Sequence, residues 1–173
     1  MTDTLFERAL RLVLDIEGGW GDDPEDPGGE TNLGITGAAL AEAKRRALVP
    51  KTLLIRTMTR PLAAAIYHAL YWREFGCHLL PEVLAIALFD GVVNQPGGAV
   101  VEMLQTSLRV KVDGDVGPAT ARAAEAADQL DVLTDFFSRR ALRYSEKSKP
   151  KFQRGLFRRL FVIERRLVEG WIE

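Results

Sequence analysis

A mainly α fold is predicted for this 173-residue chain, and three observations predict it. Apolar residues recur at steps of three and four over most of its length. Alternating strand patterns are nearly absent. Glycine and proline gather in a few short clusters that separate one helical stretch from the next. Residues 20–36 lack a helical period, so a small β-hairpin or irregular loop is expected there and nowhere else.

The first helix is expected from Asp3 to Glu17, with Thr2 or Thr4 as cap. Its apolar stripe Phe6, Leu10, Val13 continues at the next step of four to Glu17, which places that carboxylate on the buried side at the helix end. Gly18-Gly19 stop the helix. A second helix is read over Ala38–Leu48, closed by Pro50. Pro61 suits the first turn of a third, reaching Trp72. Val83–Val93 is apolar enough for a central buried helix, broken by Asn94-Gln95-Pro96-Gly97-Gly98, and Ala99–Leu108 follows. Asp113-Gly114-Asp115-Val116-Gly117-Pro118 reads as a turn, with Pro118 opening the next helix. Residues 128–147 and 156–170 close the chain as two amphipathic helices around Pro150.

With 47% apolar residues the chain can build a core as one compact domain or two small halves. A formal net charge of −1 argues against a general nucleic-acid binder. The charge is uneven, however. Residues 1–36 carry nine acids and two bases, whereas residues 139–166 carry eleven bases and two acids. The basic run Arg139, Arg140, Arg143, Lys147, Lys149, Lys151, Arg154, Arg158, Arg159 reads first as a solvated face, and functionally as a means of steering toward an anionic wall or membrane surface. Cys77 is the only cysteine, so no internal disulfide can form. It reads as a small buried hydrophobe. His68 and His78 lack a metal-ligand pattern and are expected at or near the surface.

The acidic loop carries the chemistry. A carboxylate beside apolar neighbours at a helix end is poorly solvated when ionised, so Glu17 should hold its proton to higher pH than in water and could protonate a leaving-group oxygen. Asp26, nine residues on among glycines and polar groups, should stay ionised, and could activate water or support positive charge on a sugar. Two carboxylates in such different settings are what glycosidic cleavage asks for. The plainer alternative is a helix-ending glutamate followed by a solvated acidic turn. A calcium loop of Asp22, Asp23, Asp26 and Glu30 fits poorly, because Pro24 takes a ligand position and no glutamate closes the loop at the right step.

The stretch Glu17-Gly18-Gly19-Trp20, then Asp26-Pro27-Gly28-Gly29-Glu30-Thr31-Asn32-Leu33-Gly34-Ile35-Thr36, resembles the signature of glycoside hydrolase family 108, a group of peptidoglycan N-acetylmuramidases. Trp20 stands where tyrosine is more usual. Tyr71-Trp72, Asp90-Gly91-Val92-Val93-Asn94, Leu104-Gln105 and Asp113–Pro118 extend the resemblance over nearly the whole chain. Gly155-Leu156-Phe157-Arg158 departs from it, lacking a tryptophan after the glycine.

The resemblance implies a lysozyme-like helical fold. It makes residues 1–89 a catalytic region and residues 90–173 a peptidoglycan-binding one, packed as one unit. Glu17 becomes the catalytic acid, Asp26 the second carboxylate, and Thr31 a residue that helps hold the catalytic water, with Thr36 a weaker candidate. The expected reaction is hydrolysis of the β-1,4 bond between N-acetylmuramic acid and N-acetylglucosamine, without a cofactor, by a monomer. A lytic transglycosylase and a non-catalytic wall-binding module are the rivals. Trp20, Tyr71, Trp72 and Asn94 are candidate substrate contacts. Aromatic faces stack on sugar rings, although one ring of the adjacent Tyr71–Trp72 pair is expected in the core. The acidic start Met1-Thr2-Asp3-Thr4 lacks the basic region of a signal peptide, so synthesis in the cytoplasm is expected. Release would then pass through a holin or a dedicated secretion route, as for an endolysin or a secretion-assisting muramidase. No stable membrane insertion is expected.

Overall fold

The computed structural model describes residues 4–17 and 31–170, the side chains of Ile16 and Glu17 excepted. Among these residues it is a mainly α, lysozyme-like fold of eight α-helices and one two-stranded sheet. The chain divides into two compact units, Met1–Glu74 and Phe75–Glu173.

The first unit begins with α1 (Thr4–Glu17), ending on the expected residue. Phe6, Ala9, Leu10 and Val13 bury one face of it, the spacing of an amphipathic helix. Strands β1 (Thr31–Asn32) and β2 (Ile35–Thr36) pair antiparallel, Thr31 opposite Thr36 and Asn32 opposite Ile35. Helix α2 spans Gly37–Arg45, capped by the Thr36 hydroxyl, which accepts from Ala39 N at 3.2 Å. It ends three residues before the expected Leu48. Ala47 turns left-handed (φ 55°), and Ala47 N and Leu48 N donate to the carbonyls of Lys44 and Ala43. That pattern satisfies the last carbonyls and stops the helix.

A 3₁₀ turn at Ile55–Thr57 leads to α3 (Arg60–Tyr67). The expected helix to Trp72 is there in outline, but from His68 to Arg73 it widens to a π turn. A 3.6-residue period does not register such an inserted residue. The wide turn sets Leu70 and Trp72 in the core and leaves Tyr71 half-buried. Phe6 of α1 meets the rings of His68 and Trp72 at 4.9 and 5.6 Å.

The second unit is built around α4 (Glu82–Asn94). Every residue from Leu84 to Val92 is buried, as expected for a helix that is apolar all round. Helices α5 (Gly97–Ser107), α7 (Gln129–Lys147) and α8 (Pro150–Val168) pack on it, and α6 (Pro118–Ala126) starts at the expected proline. Two starts lie earlier than expected. Gly97 opens α5 where a Cβ would stand 2.1 Å from the Phe75 ring, so glycine is there for close approach. Pro150 lies in the first turn of α8 instead of outside it, where its missing N–H costs nothing.

Candidate active site

Glu17 is the last residue of α1, four residues beyond the fully buried Val13. Asp26 and Trp20 lie outside the described residues, as do Asp22, Asp23 and Glu30. Thr31 opens β1 and is half-buried.

The hairpin that carries Thr31 is held from two sides. Leu33 and Gly34 form its two-residue turn with φ of 52° and 73°, the left-handed pair that matches the twist of a tight hairpin. Leucine in that region is strained by about 1–2 kcal/mol. The Tyr67 hydroxyl at the end of α3 donates to Leu33 O at 3.2 Å, and Asn32 Nδ2 donates to Ile55 O at 3.1 Å. Tyr67 is buried, and its ring lies 5.6 Å from that of Tyr71. Thus α1, the π turn and the hairpin share one packed frame through Phe6, Trp72 and Tyr67. The Thr36 hydroxyl oxygen serves α2 as its cap.

Of the two adjacent aromatics, Trp72 has no exposed surface. As a substrate contact it is therefore corrected: burying so large a ring against Phe6 is worth several kcal/mol of core packing, and it offers no face to a ligand. Tyr71 is half-buried, and burial pushes its phenol upward, so it stays protonated at neutral pH and can donate a hydrogen bond.

In the second unit, Asn94 ends α4 half-buried, with Nδ2 turned back to donate to Asp90 O at 2.9 Å. Four residues earlier lies the feature that reading the sequence missed. Asp90 is fully buried and bound by two guanidiniums: Arg140 Nη2 at 2.8 Å, and Arg159 through Nε at 2.7 Å and Nη2 at 2.6 Å. Arg140 Nε also donates to Gln95 Oε1 at 3.0 Å, and its guanidinium lies 5.4 Å from the Phe137 ring centre. Burial alone would push the Asp90 carboxyl up, but Arg159 and Arg140 outweigh it and hold the group below the ordinary range.

Arg140 and Arg159 thus leave the solvated basic face to which the sequence assigned them. The signal was present: one aspartate inside an unbroken apolar run needs buried partners, and only distant cations could supply them. Gln105 is a second such post. Almost fully buried, it accepts from Asp113 N and Gly114 N at 3.0 and 2.9 Å and donates to Asp113 Oδ1 and Asp115 O at 2.8 and 2.9 Å. It holds the Asp113–Pro118 turn that the glycines there predict.

Cys77 is buried as expected, and burial raises its thiol far above the ordinary range, so it is unreactive.

Three comparisons bear on this geometry. Residues 10–96 match the family described as Glycosyl hydrolase 108, and residues 99–173 match one described as "Predicted Peptidoglycan domain". No curated protein matches the chain. Among solved structures, SagA of Brucella abortus is similar over 95% of this chain and 94% of its own, with 29% identity and a TM-score of 0.81.

Proposed function

The chain belongs to the glycosyl hydrolase 108 family, and from that premise we propose that it hydrolyses the β-1,4 bond between N-acetylmuramic acid and N-acetylglucosamine with Glu17 as general acid. Family membership and the peptidoglycan domain make it a glycoside hydrolase acting on peptidoglycan. The observation that carries the finer reading is the position of Glu17, at the end of a helix whose Phe6–Leu10–Val13 face is core. A protonated carboxyl at that position can give its proton to the departing glycosidic oxygen. Asp26 then orients water or supports the oxocarbenium-like state, and Thr31 helps hold that water from the rigid hairpin. Trp20, Tyr71 and Asn94 are the proposed sugar contacts.

In the same reading residues 1–89 carry catalysis and residues 90–173 carry wall binding. The protein acts as a monomer, made in the cytoplasm and released to the wall through a holin or a secretion route, as an endolysin or a secretion-assisting muramidase.

Digestion of purified sacculi tests the proposal. Wild type should yield reducing N-acetylmuramic acid ends, and Glu17→Gln should lower kcat by about 10²–10⁴-fold while folding normally. Anhydro ends would mean a transglycosylase. Undiminished clearing by Glu17→Gln would remove Glu17 from the chemistry.

A further inference from the structure

Helix α8 carries two rows of side chains with one spacing. Phe157, Phe161 and Val168 stand at i, i+4 and i+11, and Arg154, Arg158 and Arg165 repeat those steps three residues earlier. Residues three apart on a helix are neighbours, so the two rows run side by side. The apolar one is interrupted at its i+7 step by the half-buried Glu164, which also borders the groove between α7 and α8. The helix's opposite face, Arg159, Leu160, Ile163 and Leu167, is buried in the second unit, which directs both rows outward. Phe161 is 69% exposed and Val168 54%; Arg154, Arg158 and Arg165 are exposed. Phe157 and Phe161 also border an apolar groove of about 340 Å³ against Phe137 and Ala141 of α7.

The charge of this region is unbalanced. Of the eleven bases in residues 139–166, Arg140 and Arg159 are matched to Asp90, Arg139 to Asp135 and Arg165 more loosely to Glu169, which leaves seven bases against two acids. A solvated basic face would explain the arginines but not the rings beside them, since an exposed phenylalanine gains nothing from water.

We propose that this face of α8 docks on an anionic phospholipid surface. The helix lies in the headgroup plane, with Phe157, Phe161 and Val168 entering the acyl boundary and Arg154, Arg158 and Arg165 on lipid phosphates. Charge complementarity selects anionic lipid, and the apolar row selects a bilayer over a soluble polyanion. Among the described residues no helix is long and apolar enough to cross a membrane, so the contact is peripheral. Each arginine near such a surface is worth about fivefold in affinity. The proposal does not rest on the hydrolase reading.

Co-sedimentation of the full chain with phosphatidylcholine vesicles, with and without phosphatidylglycerol, tests it. Binding should need phosphatidylglycerol and weaken with salt. The double variant Arg154→Glu, Arg158→Glu should lose about twentyfold or more. Phe161→Ser should weaken binding even at high salt, and a tryptophan placed by Phe161→Trp should be quenched by brominated acyl chains beyond the wild-type signal. Circular dichroism checks that the variants fold, and the wild-type comparison of the two lipid mixtures needs no variant. Equal binding to both vesicles, or to neither, overturns the proposal. So does a wild-type dimer, seen by sedimentation velocity, that the same variants dissociate, because the face would then be a contact between copies.

Discussion

Asp90 and Arg140 stand 50 residues apart in sequence and meet at 2.8 Å in the second unit, neither side chain having any exposed surface. With Arg159, 69 residues from Asp90, they tie α4, α7 and α8 together at one carboxylate. The trio explains how a charged residue sits inside nine consecutive buried positions of α4.

Removing that carboxylate strands two buried guanidiniums. Asp90→Ala should therefore lower the unfolding free energy by about 3–5 kcal/mol, measured by urea denaturation. Arg158→Ala, one residue before a member of the trio but exposed, should change it by less than about 0.5 kcal/mol. Comparable losses from the two would contradict the assignment of Arg159, and not Arg158, to the core.

The same group makes stability depend on acid. The Asp90 carboxyl titrates lower in the folded protein than an unfolded aspartate does. Its stabilisation is therefore complete above the unfolded value of about 3.9 and is lost as pH falls through the lower folded value. Asp90→Asn should be less stable than wild type at neutral pH, and the gap should narrow on acidification below about pH 4. A gap that stays constant across the range would point to a source other than this ionisation.

Tyr67 braces the strained Leu33 carbonyl, so its hydroxyl should matter more to the hairpin than to the core. Tyr67→Phe keeps the buried ring and should cost about 1 kcal/mol. The amides of β1 and β2 should exchange faster with solvent, whereas those of α4 should not. Unchanged protection at Asn32 and Ile35 would show that the Tyr67 hydroxyl does not hold the turn.

Gly97 and Gly98 are adjacent but should respond oppositely to alanine. At Gly97 the new Cβ meets the Phe75 ring, and the overlap should cost about 1–3 kcal/mol. At Gly98 nothing lies within 4 Å, so alanine should stabilise by up to about 1 kcal/mol through the less flexible unfolded chain. Thermal melts of the two single variants distinguish them.

The sequence by itself determined the helical class, the order of the helices and the place of Glu17 at the end of α1. Periodicity, capping and turn chemistry act over a few residues, and a few residues of sequence express them. It also marked the hairpin, which begins at Thr31, and the Asp113–Pro118 turn. Only the tertiary structure decided that Trp72 and not Tyr71 belongs to the core, that Tyr67 supports Leu33, and that Arg140 and Arg159 leave a basic run to pair with Asp90. Each of these depends on partners on other elements or tens of residues away. Whether a cation faces water or a buried carboxylate is decided by which helix packs beside it, and neighbouring residues along the chain carry no record of that.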